Sequence, residues 1–79
     1  MENNQVQKQV INVVAKVLKM DVSEISPEAN FIFDLGADSM QSLELIAGFE
    51  EEFNIEMDED KALAVQTVSD AVKFIQNYI

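Results

Sequence analysis

The apolar residues of this chain recur at helical spacing, beginning with a series of valines near the start. Positions 6, 10, 13, 14 and 17 are all valine, and residues at these intervals share one face of a helix. The residues at positions 8, 12, 16 and 19 are lysine or asparagine and fall on the opposite face. The pattern predicts a first amphipathic helix from about Asn4 to Lys19 with a buried valine face.

Three further helices are predicted after a connection that runs from Met20 to Asp38. The second helix runs from Ser39 to about Phe53, with Asp38 as its N-cap and Gln41 placed to complete a capping box. Residues 59–64 predict one or two helical turns. A last helix follows Thr67, which is a typical N-cap residue. Seven residues are predicted to share the apolar side of this last helix: Val68, Ala71, Val72, Phe74, Ile75, Tyr78 and Ile79. The sequence therefore predicts an all-α fold, a small four-helix bundle with three main helices and a short third one, in a single domain spanning residues 1–79.

The predicted connection is long for so small a domain, which indicates that it is either packed down or functional. Serine, proline and asparagine residues within it are turn and cap signals. Six apolar residues are candidate anchors to the core: Val22, Ile25, Phe31, Ile32, Phe33 and Leu35. They lie too close together in the chain for all six to face inward.

The second predicted helix has two apolar faces. Four residues fall in one sector at about 100° per residue and are assigned to the core: Leu45, Ile46, Phe49 and Phe53. A second set forms an apolar strip with a carboxylate border: Met40, Leu43, Glu44, Ala47, Glu50 and Glu51. We call this second set the docking face, because exposed apolar patches with a charged rim often bind partners. The alternative is that the strip packs against the third or fourth helix.

The composition excludes most catalytic chemistry. No cysteine is present, so disulfides, iron–sulfur clusters and thiolate zinc sites are excluded. No histidine is present, which excludes a Ser-His-Asp triad and histidine-based zinc sites. We therefore expect no catalytic residue, no bound metal and no enzymatic activity.

The charge balance constrains the partners. Fifteen acidic residues against five lysines give a net charge of −10. This balance argues against nucleic acid and anionic membrane surfaces as partners, because binding to either relies on clustered basic residues. No apolar run reaches transmembrane length, and the polar start lacks the apolar segment of a signal peptide. We expect a monomeric cytoplasmic protein without stable membrane insertion. Its acids either keep it soluble or steer basic partner proteins, and their concentration around residues 34–60 favours the second role.

Ser39 is the most informative single residue. It follows Asp38 at the predicted start of the second helix, where free backbone N–H groups and the helix dipole favour a phosphate. Gly36 permits a tight turn just before it and leaves room for a large group. The alternative is that Ser39 only helps to cap the helix. Catalysis by Ser39 is disfavoured, since no histidine is available as its base.

These residues carry a resemblance to a known family. The segment Asp34-Leu35-Gly36-Ala37-Asp38-Ser39-Met40, followed by Glu44-Leu45 and Glu50-Glu51-Glu52-Phe53, is similar to the acyl carrier proteins of dissociated fatty acid synthases. The similarity covers nearly the whole chain. It implies that a phosphopantetheinyl transferase attaches 4′-phosphopantetheine to Ser39 covalently and that Asp38 helps the transferase recognise the site.

The same resemblance implies how such a carrier works. Acyl groups would ride as thioesters on the thiol of the arm, with the growing chain inside the helix bundle. The docking face would bind basic patches on enzymes of fatty acid or related lipid biosynthesis. Polyketide, aminoacyl or other acyl cargo is the alternative within this class. An acidic calcium-binding or adaptor helix bundle is the alternative from another class.

Four positions depart from the usual family pattern: Met40, Gln41, Gly48 and Asp58. Met40 replaces a leucine and should preserve an apolar contact. Gln41 removes a recognition charge. Gly48 is expected to loosen the second helix or to admit a partner, and Asp58 to leave the following turn less rigid than a proline would. Together they favour a specialised carrier.

Overall fold

Residues 3–79 are described by the computed structural model, with side chains from residue 4 onward. This range contains four α-helices: α1 Asn3–Leu18, α2 Ser39–Phe53, α3 Glu59–Leu63 and α4 Val68–Gln76. One turn of 3-10 helix lies at Val22–Glu24, and an isolated antiparallel bridge joins Asn30 to Thr67. The predicted all-α fold, with three main helices and a short third one, is confirmed. Residues 1–2 of the predicted domain lie outside the described residues.

The valine face of α1 forms the centre of the core. Val6, Val10 and Val14 are fully buried, and α1 packs against both α2 and α4. Val68 and Ile75 of α4 are equally buried on the other side of this contact. Because β-branched residues have only modest helix propensity, burial of this face must supply much of the stability of α1. The helix begins and ends one residue earlier than predicted, and a left-handed Lys19 (φ 57°) follows it.

Gly48 lies where α2 crosses α1. A Cβ atom at position 48 would lie 2.8 Å from Cγ1 of Val13 and 3.6 Å from Cγ2 of Val17. The helix continues unbroken through Gly48. The close approach that Gly48 permits is that of helix α1 of the same molecule, and not that of a partner protein.

The long connection between α1 and α2 is packed down. Of its six candidate anchors, Ile25 and Phe31 are buried and Leu35 is half-buried. The backbone N–H of Phe31 donates to the carbonyl of Gln66 at 2.9 Å, and the N–H of Val68 donates to the carbonyl of Ala29 at 3.1 Å. These bonds fix the connection to the start of α4. The other three anchors are exposed: Val22, Ile32 and Phe33.

The end of the chain differs from the prediction. Because α4 stops at Gln76, Tyr78 and Ile79 do not extend its apolar side, and both are exposed. The Tyr78 ring meets the Phe74 ring edge-on, with centroids 5.3 Å apart, and its hydroxyl accepts from the backbone N–H of Asp58 at 3.3 Å. The Asp58 carboxylate caps α3 by accepting from the N–H of Lys61 at 3.1 Å. Asp58 therefore secures the turn that it was expected to leave less rigid.

Candidate functional site

Ser39 is exposed and is the first residue of α2. Capping is performed by its neighbour. The Asp38 carboxylate accepts from the N–H of Gln41 at 2.8 Å, and the Gln41 side chain accepts from the N–H of Asp38 at 3.1 Å. This reciprocal capping box fixes the first turn of α2. The capping role considered for Ser39 therefore belongs to Asp38, and the Ser39 hydroxyl has no hydrogen-bond partner among the described residues.

The turn that precedes Ser39 is held by hydrogen bonds within residues 30–37. Gly36 has a φ of +74°, which side-chain-bearing residues rarely adopt, and a Cβ there would have no heavy atom within 4 Å. The Asn30 side chain accepts from the N–H groups of Ile32 and Phe33 at 2.9 and 3.0 Å. The N–H of Ala37 donates to the carbonyl of Phe31 at 2.8 Å. Gly36 is thus required for its conformation, and the space around it is open.

The docking face points to solvent along most of its length. Met40 is 70% exposed and Leu43 is 46% exposed, and Glu44, Ala47 and Glu51 are exposed beside them. The alternative that this strip packs against α3 or α4 is therefore wrong. The core face is as predicted for Leu45, Ile46 and Phe49, which are buried, whereas Phe53 is half-buried.

Glu50 differs from the other members of the docking face. It is half-buried, and its carboxylate accepts from the backbone N–H of Met57 at 2.9 Å. Its backbone carbonyl accepts from the N–H of Ile55 at 3.0 Å. These two bonds tie the chain after α2 back to the helix, so Glu50 has a structural task as well as its predicted docking role.

A cavity of about 180 Å³ lies between the 30–33 turn, α2, α3 and α4. Its walls are mostly apolar, with Phe49, Met57 and Ile75 among them, and none of the described residues that line it is charged. For comparison, an apolar cavity of about 150 Å³ binds benzene. The space is therefore large enough for a chain of roughly six carbons.

A phosphate-linked group fits the start of α2. The Ser39 hydroxyl is exposed and unengaged, and the N-terminal dipole of a 15-residue helix favours the negative charge of a phosphodiester there. The open space beside Gly36 leaves room for a bulky arm. The structure brings Ser39 and Asp38 together at one end of α2 and distributes the docking face along the same helix.

The apolar surface outside the docking face is larger than the sequence predicted. Phe33 is 87% exposed and Ile32 is 57% exposed, and both line the cavity, as does the exposed Leu63 of α3. The available signal was the run Phe31-Ile32-Phe33, in which only some side chains can face inward. The run alone does not show which of these three side chains are exposed to solvent.

Residues 8–75 match the protein family described as "Phosphopantetheine attachment site". The chain therefore belongs to the family of proteins that carry 4′-phosphopantetheine as a covalent prosthetic group. Within the described residues, no helix combines the length and the apolar character needed to cross a membrane.

More particularly, the chain is similar to proteins named acyl carrier protein. It is 42% identical over 73 residues to that of Porphyromonas gingivalis, covering 92% of this chain and 94% of the relative. It is 49% identical over 69 residues to that of Phenylobacterium zucineum, covering 87% of each chain. The chain is an acyl carrier, and carriers of this family work with a phosphopantetheinyl transferase and with acyl-processing enzymes. Because the chain is an acyl carrier, we no longer consider the alternative hypothesis of a calcium-binding or adaptor helix bundle.

Proposed function

We propose that Ser39 is the attachment point of the phosphopantetheine arm. The observation that carries this proposal is the division of roles at the start of α2, where Asp38 supplies the cap and leaves the adjacent exposed hydroxyl unengaged. In the reaction, the Ser39 oxygen forms a bond to the phosphorus of coenzyme A that bears the pantetheine. The bond from that phosphorus to the nucleotide part breaks, and the hydroxyl proton passes to a base on the transferase.

The arm supplies the thiol that this chain lacks, and the protein itself performs no catalysis. Residues 1–79 act as one acyl carrier domain, monomeric and cytoplasmic. Asp38 has a second role in recognition by the transferase, because the carboxylate that caps α2 belongs to the residue next to the reacting serine. The negative charge concentrated around α2 supports recognition by basic surfaces on the transferase and on later enzymes.

The cargo that we propose is a fatty acyl chain of lipid biosynthesis. The cavity between the 30–33 turn and α2–α4 supports this choice, because its uncharged, mostly apolar walls suit a hydrocarbon chain. Each buried methylene contributes about 0.8 kcal/mol. A polyketide or aminoacyl group carries polar atoms, which lose hydrogen bonds to water in such a cavity unless they find partners there.

Loading experiments test the attachment site. The apo protein is incubated with coenzyme A, magnesium and a broad-specificity phosphopantetheinyl transferase, and its intact mass is measured. We expect a mass increase of one phosphopantetheinyl group in the wild type and none in Ser39→Ala. Ser42→Ala is the matched control, since Ser42 lies one turn further along α2 and donates its hydroxyl to the carbonyl of Asp38 at 3.0 Å. Loading of Ser39→Ala, or loss of loading only in Ser42→Ala, would overturn the proposal.

A further inference from the structure

Three exposed apolar side chains stand at the edge of the cavity: Ile32, Phe33 and Leu63. We call these three residues the rim. They come from two separate elements, the turn before α2 and the helix α3. A phenylalanine that is 87% exposed gains almost nothing from burial within its own fold. The rim therefore provides apolar area that remains available to a ligand.

The turn that carries Ile32 and Phe33 is preorganised. Both N–H groups donate to the Asn30 side chain, and the Asp34 carboxylate accepts from the N–H of Asn30 at 2.7 Å. The carbonyl of Ile32 accepts from the N–H of Gly36 at 3.1 Å. Because the backbone is already fixed, a ligand that contacts these side chains does not have to order the loop.

The rim is continuous with the cavity interior. Its three side chains line the same space as the buried Phe49 and Ile75, and none of the described lining residues is charged, although charged residues form 25% of the chain. Apolar surface therefore extends without a charged barrier from solvent to the core. Such a path suits a ligand that is apolar along its whole length and enters end-on.

The volume of the cavity limits how much of such a ligand can be buried inside it. The interior volume of about 180 Å³ accommodates roughly six carbons, so the remainder of a longer chain must pass the rim. Ser39 begins α2, and Ser42, one turn further along the same helix, lines the cavity, so a chain carried on the Ser39 arm is tethered near this opening. A tethered ligand has a high effective concentration and needs only weak contacts to remain bound.

We infer that the rim covers the outer part of a long acyl chain and thereby sets a preference for chains longer than the interior cavity can hold. This inference rests on the proposed attachment at Ser39. It names long-chain fatty acyl groups as the cargo class and Phe33 and Leu63 as the residues that select for length.

Thermal unfolding of acylated protein tests the inference without any enzyme activity. The protein is loaded with saturated acyl-phosphopantetheine arms of about four to about fourteen carbons, and Tm is measured for each. We expect Tm to rise through the whole series, by about 2 °C per methylene beyond the first six or so, since half-burial gives about half the stabilisation of full burial. Phe33→Ser and Leu63→Ser, alone and combined, should keep the rise for short chains and flatten it for long ones.

Val22→Ser is the matched control, because Val22 is 49% exposed and does not line the cavity. It should leave the whole series unchanged. A wild-type series that is flat beyond the short chains overturns the inference alone, as does an unchanged slope in the combined rim variant. If Phe33→Ser instead weakens transferase binding while the Tm series is unaffected, the rim is a partner contact and the inference is wrong. Failure of any arm to attach at Ser39 overturns the proposed function itself, and the inference with it.

Discussion

At the residue scale, two adjacent side chains at the start of α2 have different roles: one caps the helix, and the other presents a free hydroxyl. Asp38 satisfies the helix N-terminus through its bond to Gln41, and Ser39 is left exposed. The same turn gives a structural role to Gln41, which is one of the four departures from the family pattern. It contributes no charge, but its side chain accepts from the N–H of Asp38 and completes the capping box.

Two substitutions at Asp38 separate its structural role from its recognition role. Asp38→Ala removes the cap and should lower the free energy of unfolding by about 1 kcal/mol, whereas Asp38→Ser keeps a capping oxygen and should cost much less. Both remove the carboxylate, so both should slow phosphopantetheinylation. Denaturant unfolding and the initial rate of loading are measured for each variant. Normal loading of Asp38→Ser would show that the carboxylate acts only as a cap.

At the scale of single elements, three sides of α2 have different neighbours. Leu45, Ile46 and Phe49 face the core, Gly48 contacts α1, and the docking face lies in solvent. Val13 is β-branched and nearly confined to one rotamer in a helix, so it cannot rotate away from a new methyl group at position 48. The position of Gly48 is therefore set by helix–helix distance.

Gly48→Ala tests this contact, because two effects of opposite sign compete. Helix propensity alone predicts a gain of up to about 1 kcal/mol, and overpacking predicts a loss of about 1 to 3 kcal/mol. We expect net destabilisation by about 1 kcal/mol, a decrease in Tm of roughly 4–8 °C. The double variant with Val13→Ala should be more stable than the sum of the single effects predicts, since the substitutions share one space. A Gly48→Ala protein with raised Tm would contradict the close contact.

The sequence predicted the helices better than it predicted their surroundings. The bounds of α2 were predicted correctly because Asp38 and Gln41 provide a local start signal and the apolar period provides the length. The reason for Gly48 was not predictable, because it depends on which helix lies opposite. The exposure of Phe33 was not predictable either, because an apolar residue in a connection carries no periodic signal. The burial of Glu50 likewise depends on the return of the chain to the N–H of Met57.

At the scale of the whole molecule, we expect partner recognition to depend on the total charge and on where the charges lie. The net charge of −10 creates a long-range field, and we propose that the docking face provides the local contact. Glu44 and Glu51 are exposed on this face, whereas Glu50 is bonded within the protein. Long-range steering and local docking can therefore be distinguished by where a charge is reversed.

Glu44→Lys should weaken binding to the transferase about three- to tenfold at low ionic strength. Binding is measured in a Ser39→Ala background, so that no turnover occurs. The effect should shrink in about 1 M salt, where the Debye length is about 3 Å. Asp21→Lys is the control, because it changes the net charge equally from an exposed position outside the docking face. Equal losses in both variants would mean that only net charge matters and that α2 is not the docking surface.

The central claim is that the arm is attached to Ser39, and locating the adduct tests it most directly. Trypsin cleavage after Lys19 and Lys61 releases residues 20–61, a peptide that contains serines at positions 23, 26, 39 and 42. Fragment-ion mass spectrometry of this peptide from the loaded protein identifies the modified residue. We predict that every loaded peptide carries phosphopantetheine on Ser39. An adduct on any of the other three serines, or in a different peptide, would contradict it.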